Sequence, residues 1–512
     1  MNTYPLNYII TIMCCFYYYF NLLKNLRMKF TILLLLLPVL LFGQTQIGQD
    51  ILGENNDGIG SNEKIDISAD GTTIIIGASS NDVINTNQGN AHVFKNINNQ
   101  WVQVGATLTG DLEREKFGSN VCISSDGTIV SIGAQGDSTV TITLPYIKVF
   151  ELISGQWLQL GNTIGGNTVP DFTGYKHSLS ADGSKLVMRS SNSVRVYELI
   201  NDIWTQIGNT IENNIDNSRY WGDIDISSEG NTFAVNLREL VGFDQNNLFY
   251  AHTVNIYRNI SGAWTKIGQT LEGEEDDDQF GRSIDFSLNG NTIVIGAYLN
   301  SVNVSGSGQV KIFKFDGNSW IQKGESINGV DFGERFGRSV SISSFGNVIT
   351  AGSYKNTSNG DLSGDVRVFQ YLNNSWTQIG DSIIGDVAFD YLGSSVSLSG
   401  DGSKVVIGAN GYDSNGGQSG LVRVFDLSQI LTTNYISLEN TISVYPNPSS
   451  QTIQIKVDYT TVIEGVVIYD MLGKKVLTQT SSSINVSAFN TGTYTVKIAT
   501  DKGVAVKQII VQ

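Results

Sequence analysis

A serine followed two residues later by a dipeptide ending in glycine recurs seven times in this chain: Ser68 before Asp70-Gly71, Ser124 before Asp126-Gly127, Ser180 before Asp182-Gly183, Ser227 before Glu229-Gly230, Ser287 before Asn289-Gly290, Ser343 before Phe345-Gly346 and Ser399 before Asp401-Gly402. The intervals are 56, 56, 47, 60, 56 and 56 residues. A period of that size marks one supersecondary unit copied and stacked on itself, and no argument about fold can ignore it.

Within a unit the pattern is all β. The sixth reads FGRSVSISSFG, then NVITAGS, GDVRVFQYL and NNSWTQIGDSI, four short runs with alternation and β-branched residues. The dipeptides suit tight hairpins, because glycine takes positive φ without a Cβ clash and Asp or Asn tolerates the position before it. Four antiparallel strands repeated radially predict a β-propeller of seven blades. Trp101, Trp157, Trp204, Trp264, Trp320 and Trp376 each stand 25 residues before the next turn, whereas the gap from turn to tryptophan varies as 31, 31, 22, 35, 31 and 31. One loop per unit therefore absorbs the insertions. We read the tryptophans as packing between blades and the serines as turn hydrogen bonders.

The seventh unit is incomplete. Thr432 stands where its tryptophan is due, while TQIGQDILGE at Thr45 to Glu54 repeats TQIGDSIIGD at Thr377 to Asp386. The front end is thus expected to supply the outermost strand of the last blade, closing the ring and leaving no free sheet edge.

Composition limits the remaining choices. A formal net charge of -16, with no basic stripe to offset it, disfavours nucleic acid as a partner. From Met28, expected as the true start, MKFTILLLLLPVLLFG has the layout of a secretory signal: a basic residue, the apolar run Phe30 to Phe42 and the small Gly43. That run is short for a membrane span, so the mature protein is expected to have none, a retained anchor being the alternative. Residues 1–43 are accordingly read as leader and signal, 44–431 as propeller, 432–441 as linker and 442–512 as a separate C-terminal domain. Cys14 and Cys15 lie in the leader, which leaves Cys122 alone and stability resting on packing.

Two resemblances add to this. The phrase FGxSVSxSxDGxxVxIGA, seen at Phe336 to Ser353 and Phe280 to Ala297, resembles the FG-GAP repeats of integrin-α-type propellers. That family often holds calcium in an Asp-x-Asp-x-Asp-Gly loop. Here the loop is a short turn such as Ser399-Gly400-Asp401-Gly402, with too few oxygens for the ion. After 441, SVYPNPSS, VVIYDMLGKKVL and NTGTYTVKI resemble the C-terminal sorting domain of type IX secretion cargo, a small Ig-like β-sandwich. The likeness implies passage through the type IX machinery to the outer surface or beyond, with the tail removed and the propeller released or anchored.

Candidate sites follow from the meander, which alternates its connections between two faces. One face collects the variable loops and the segments Gly110 to Lys116, Glu272 to Gln279, Asn328 to Arg335 and Ile384 to Tyr391. Glu274-Glu275-Asp276-Asp277-Asp278 is either a solvated acidic loop or a place for a hard cation. The long loop Leu237 to His252 offers Phe243, Phe249 and Tyr250 as contact residues, and blades three and four break the repeat by placing Arg189 and Asn236 at the glycine of the IGA phrase. Asp66, Cys122, Ser178, Asp225, Asp285, Ser341 and Ser397 share one strand position and would line a central channel, structural or functional. His92, His177 and His252 occupy unrelated positions, and no HExxH, GxSxG or Cys/His ligand set occurs, so no catalytic, cofactor or metal residues are assigned. The reading is an all-β, non-enzymatic surface or secreted binding or adhesion module whose ligand is a glycan or protein. A propeller hydrolase or lyase acting on polysaccharide and a structural surface-layer component are the alternatives.

Overall fold

The computed structural model describes residues 43–512 except 55–56, 62–64, 82–86, 137–143, 166–175, 216–217, 245–246, 414–416, 418, 432–441, 459–460, 472–474 and 501–502. The expected leader as far as Phe42 and the linker 432–441 lie outside the described residues.

Before the tail, seven antiparallel sheets of four or five strands follow one another among the described residues. Sheet 5 is typical: Phe280–Phe286 lies innermost, then Thr292–Ala297, Gln309–Phe315 and Trp320–Gln322, with Ile327–Asn328 extending the outer edge. Each innermost strand packs on that of the next sheet, and the seventh, Leu392–Leu398, returns to the first, Ile65–Ile67. This is the arrangement of a β-propeller. Turns on neighbouring innermost strands are also linked by backbone hydrogen bonds, as from Ala69 N to Ser125 O (3.0 Å), Ser125 N to Ala181 O (2.7 Å) and, across the closure, Gly400 N to Ala69 O (2.9 Å).

The repeated turn chemistry explains the spacing of its residues. Ser124 Oγ donates to Asp126 Oδ1 at 2.8 Å and accepts the amide of Ile129 at 2.9 Å, while Gly127 takes φ of 73°. The same serine accepts an amide five residues on at Ser68, Ser180, Ser227, Ser287, Ser343 and Ser399. Each tryptophan locks one sheet to the last: Trp157 Nε1 donates to Val104 O at 2.8 Å, Trp320 Nε1 to Ile267 O at 3.2 Å. Glycine is required next to the ring, since a Cβ on Gly105 would lie 2.6 Å from Trp157 Cδ1.

The chain's front end completes sheet 7. Thr45 pairs with Asp426 and Gln46 with Phe425, then Ile51 with Val422 and Leu52 with Leu421. The register equals that of Thr377 on Gln370 one sheet earlier. Gln44 occupies the tryptophan position, its Nε2 donating to Asp381 O at 2.5 Å. Arg423 ties the seam by ion pairs to Asp50 (2.8 Å) and Asp386 (2.6 Å). The core lies between sheets: Ile51, Ile65 and Ile74 pack with Val406, Val422 and Val424 across this seam.

Two features depart from expectation. The segment Leu237 to His252, read as a long loop, is a β-hairpin in which Thr232–Asp244 pairs with Asn247–Ile260. Its alternating side chains continue the ladder past the length of the other sheets, with one bulge between Leu240 and Gly242. The irregular Arg189 and Asn236 are structural. In regular sheets the IGA glycine leaves no room for a side chain against the next sheet, where Gly393 O crowds Gly352 and Gly337 O crowds Gly296. In sheets 3 and 4 side chains reach the equivalent stretch instead: Arg189 donates to Gly222 O (2.8 Å) and Trp221 O (2.7 Å), and Asn236 Nδ2 to Phe280 O (2.7 Å).

The tail forms a three-stranded sheet, Ser443–Tyr445, Thr452–Lys456 and Ser483–Asn485, and a four-stranded one, Lys475–Gln479, Ile463–Tyr469, Gly492–Thr500 and Gly503–Val511. They share a core that includes Ile453, Ile468, Val496 and Ile509. Phe345, the one turn residue that is neither acidic nor amide, is buried against Val467 and Ala499 of this domain. Beside it Lys497 pairs with Asp401 at 3.0 Å. Burial pushes the Asp401 carboxyl up, but Lys497 and the Ser403 hydrogen bonds outweigh it and hold the group at about 2.

Candidate functional site

Two adjoining places on the axis concentrate polar side chains. The first is the channel wall, built from the inner strands around a cavity of about 240 Å³. All seven residues of the column from Asp66 to Ser397 line it. An innermost strand has an open edge whose amides need acceptors, and the column supplies them to the next sheet. Asp66 Oδ2 accepts from Ile123 N (2.9 Å), Ser178 Oγ from Ile226 N (3.2 Å), Asp225 Oδ2 from Phe286 N (2.9 Å), Asp285 Oδ2 from Ile342 N (2.7 Å) and Ser341 Oγ from Leu398 N (3.0 Å). Ser397 Oγ donates to Asp66 at 2.8 Å and joins the seventh sheet to the first. The half-buried Cys122 donates to His177 O at 3.6 Å, and burial pushes its thiol up.

Burial likewise raises these carboxyls. Asp66 is pushed up to about 6; Asp285 and Asp225 are raised by burial and by facing other acids, Asp225 by Asp285 and Asp285 by Asp66. A buried ion pair not evident in the sequence lies alongside: Lys176 Nζ is 3.3 Å from Asp223 Oδ1, whose Oδ2 accepts Ile284 N at 3.0 Å. The wall is a set of acceptors taken up by the next sheet, with the buried Lys176 paired to Asp223 beside it.

The acidic run does not converge. Glu274 pairs with Lys311 (2.6 Å), Glu275 accepts Ser301 N (2.7 Å), and Asp278 turns inward to accept Glu274 N (3.0 Å) and Phe280 N (2.9 Å). Asp278 belongs to a second acid column that the sequence reading passed over. Asp57, Glu115, Glu334 and Asp390 are also buried and brace their loops by accepting amides such as Val387 N and Glu54 N. Its signal was available, an acid two residues before the Phe, Leu or Ile of the FG-like phrase in five of the seven repeats. Among the described residues no three His, Cys, Asp or Glu side chains are grouped to hold a metal.

The histidines are dispersed. His92 stacks on Phe94 beside a cavity of about 400 Å³ at the seam of sheets 7 and 1. His177 is buried with Nε2 3.0 Å from Ser131 Oγ, and burial pulls it down to about 3; His252 is pulled down to about 4 by burial and lies 3.1 Å from Gln279. On the sheet 4 hairpin Phe249 is exposed and Tyr250 lies under Arg238, 3.4 Å from guanidinium carbon to ring centroid. The side chain of Phe243 lies outside the described residues.

The second place is the loop-face mouth of the channel, a cavity of about 650 Å³. The variable residue of the FGxS phrase, Arg282 or Arg338 in sheets 5 and 6 and Ser61, Ser119 or Ser394 elsewhere, lines it with Lys116, Lys355, Tyr354 and Tyr391. Lys116 and Tyr391 are placed by positive φ (55° in each) in the bends that precede the inner strands. Arg338 lies over Tyr298 (4.9 Å) and Tyr354 (5.7 Å), and Lys355 over Tyr354 (5.5 Å). Burial holds the Tyr354 phenol above its usual range, so it remains a neutral hydroxyl. Four cations line this mouth and no carboxylate does, among the described residues.

Known proteins bear on the two halves unequally. No curated protein matched the chain in sequence. Similar solved structures include that of U3-55K, at 13% identity over 75% of this chain and 98% of that one, with a TM-score of 0.43. The Dos1 propeller matches at 12% over 75% and 96%, with a TM-score of 0.41. A functionally unknown protein from Desulfotomaculum acetoxidans DSM 771 matches at 14% over 65% and 89%, with a TM-score of 0.40. Residues 443–512 match the family of secretion system C-terminal sorting domains, the tails of type IX cargo, which marks the chain for export to the cell surface or the extracellular space.

Proposed function

We propose that this chain is a seven-bladed propeller, closed by its front strand, that the type IX machinery delivers to the outer surface or medium, where its loop face binds a glycan or protein. In this reading residues 44–431 are the binding module and 442–512 an Ig-like sandwich removed on export. The observation that carries it is the exposure of large apolar side chains along the loops of that face. Phe332 is 80% exposed, Val330 60%, Leu112 58% and Phe389 54%. Loops on a rigid scaffold, bearing apolar groups that contribute nothing to the core, are the common form of a binding surface.

The raised carboxyls Asp225 and Asp285 favour a second reading, a polysaccharide hydrolase or lyase, since perturbed acids cluster at active sites. Their backbone bonds weigh against it. The full chain should be applied to a glycan array and incubated with soluble polysaccharides. Retention without new reducing or unsaturated ends is the expected outcome, and release of such ends would replace the binding reading with the catalytic one.

A further inference from the structure

An ion pair recurs where one sheet meets the next. The third residue of the third strand is Lys148 in sheet 2, Lys311 in sheet 5 and Arg423 in sheet 7, each opposite the isoleucine of the IGA phrase, Ile132, Ile295 or Ile407. Each base reaches an acid that follows the outer strand of the preceding sheet: Lys148 to Asp111 (2.5 Å), Lys311 to Glu274 (2.6 Å) and Arg423 to Asp386 (2.6 Å). Sheet 1 keeps the acid and changes the base. Glu54 follows Gly53 as Asp386 follows Gly385, and in both places the glycine amide donates to the carbonyl just before the third strand, Gly420 O at 3.2 Å and Gly364 O at 3.0 Å. The residue opposite Ile76, however, is His92. An imidazole is shorter than a lysine or arginine side chain, and this ring is held by its own sheet, stacked on Phe94 with centroids 6.2 Å apart and with Nδ1 3.4 Å from Thr107 Oγ1.

His92 and Glu54 both line the cavity of about 400 Å³ at this seam, a volume within the range of small-molecule sites, roughly 300–1,000 Å³. Among the described residues no lysine or arginine lines it, and the adjoining segments 55–56 and 82–86 contain neither. The loop that presents Glu54 is braced, since Asp57 accepts Glu54 N at 2.7 Å and Asn81 Nδ2 at 2.6 Å. Asn90 also lines the cavity; it is 7% exposed, and its Oδ1 is buried without a hydrogen-bond partner among the described residues. In sheet 5 the side chain at this strand position, Gln309, reaches the joint acid Glu274 through Nε2 at 3.2 Å. Burial holds His92 below its usual range, which leaves the imidazole neutral near pH 7. The polar lining thus offers a carboxylate and an amide oxygen as acceptors, while Ile51, Ile59 and Ile76 supply apolar wall. A charged donor on a methylene stem matches both. We propose that the seam cavity binds a small alkylammonium or alkylguanidinium, with Glu54 as its ion-pair contact and Asn90 as a second acceptor. Such a ligand restores the cation that Lys148, Lys311 and Arg423 supply at the other joints. The site is separate from the exposed apolar loops of the binding-module reading and does not depend on them.

The test titrates the full chain calorimetrically with n-pentylamine, n-pentylguanidinium, the neutral n-pentanol and the tripeptide acetyl-Gly-Lys-Gly-amide. At least one of the two alkyl cations should bind ~10-fold or more tightly than the alcohol, and Glu54→Gln should remove most of that difference, as expected for one lost charge-assisted contact. His92→Lys supplies the cation within the chain, as Lys148 and Lys311 do, and should abolish binding while the melting temperature stays level or rises. Glu54 is exposed, so its variant leaves the core intact and keeps the test decisive if His92→Lys folds poorly. Tripeptide binding as tight as that of pentylamine would assign the cation to a protein side chain, and its exclusion would assign it to a free amine; both uphold the site. No binding of either alkyl cation, equal binding of pentanol, a Glu54→Gln variant that binds like the parent, or a folded His92→Lys variant that still binds would each overturn the inference.

Discussion

Asp285 and Arg282 lie three residues apart on one inner strand, yet they belong to opposite regimes. Asp285 lines the channel wall, where its oxygen is taken up by the amide of Ile342 and the hydroxyl of Ser341. Arg282 lines the mouth, where the charged lining residues among those described are Lys116, Arg282, Arg338 and Lys355. The wall faces amides of the next sheet and is polar because edge strands need acceptors. At the mouth, Arg282 sits in the register shift between Phe280 and Ser283, where its side chain is partly exposed. The comparison teaches that a conspicuous acidic column can be scaffold, its carboxylates committed to the backbone of the next sheet.

The largest effect should come from opening the ring on which the wall depends. A chain lacking residues 44–54 leaves the outer edge of the strand Leu421–Asp426 unpaired, strips Arg423 of Asp50 and uncovers the seam beneath Ile51. The lost burial and backbone bonds are worth on the order of 5 kcal/mol. Thermal melting and limited proteolysis should show a large loss of stability. An unchanged melting temperature would mean that the seam holds without its strand and that the wall does not rely on closure.

Next in size is the contrast between wall and mouth. Asp285→Ala leaves a buried amide at Ile342 without its acceptor, which should cost about 2 kcal/mol in a denaturant titration. Arg338→Gln gives up contacts of a partly exposed guanidinium, among them cation–π contacts with Tyr298 and Tyr354 worth roughly 0.5–1 kcal/mol, and should cost less than Asp285→Ala. If the two variants exchanged rank, the division of labour between wall and mouth would be wrong.

How much of this was legible depended on whether the signal was local. Turn glycines, the serine two residues before each dipeptide and the tryptophan interval are properties of one hairpin, so the sheets and the exchanged strand could be read from spacing, with Thr45 placed in the register that Thr377 occupies. The hairpin beyond Leu237 was read as a loop because its length broke the period, although its alternation was visible. The channel column could be aligned, but not its partners, since Asp66 meets Ile123 and Ser397 only when sheets stack and the ring shuts. The mouth stayed hidden for the same reason. Arg282, Arg338 and Lys116 occupy positions that vary between repeats, and variability hides a site that several repeats build together. The asymmetry at Arg189 and Asn236 was seen but pointed to function, whereas both replace a glycine contact with hydrogen bonds to the next sheet.

The smallest expected effect is a pH dependence that belongs to the wall alone. Asp66 sits at about 6 in the fold, raised by burial, against an ordinary value near 3.8 in the unfolded chain. The native state then holds its proton more tightly than the unfolded state does. The stabilisation is complete below about pH 4 and is lost as pH rises through 6, with Asp225 and Asp285 acting in the same direction. One edge of each carboxyl reaches the channel, which reduces the effect to on the order of 1 kcal/mol per group between pH 5 and 8. The turn acids oppose this at low pH. Asp401, held at about 2, contributes above the unfolded value and loses its contribution as pH falls towards 2, as do Asp126 and Asp182, which are also lowered. Stability should therefore peak near about pH 4 and decline from there to about pH 6. Asp66→Asn keeps an acceptor for Ile123 N but removes the titration, so its melting temperature should fall less between pH 5 and 8 than that of the parent. A parent that grows steadily more stable across that range would show that the wall carboxyls ionise freely, and the contrast with the mouth would then rest on geometry alone.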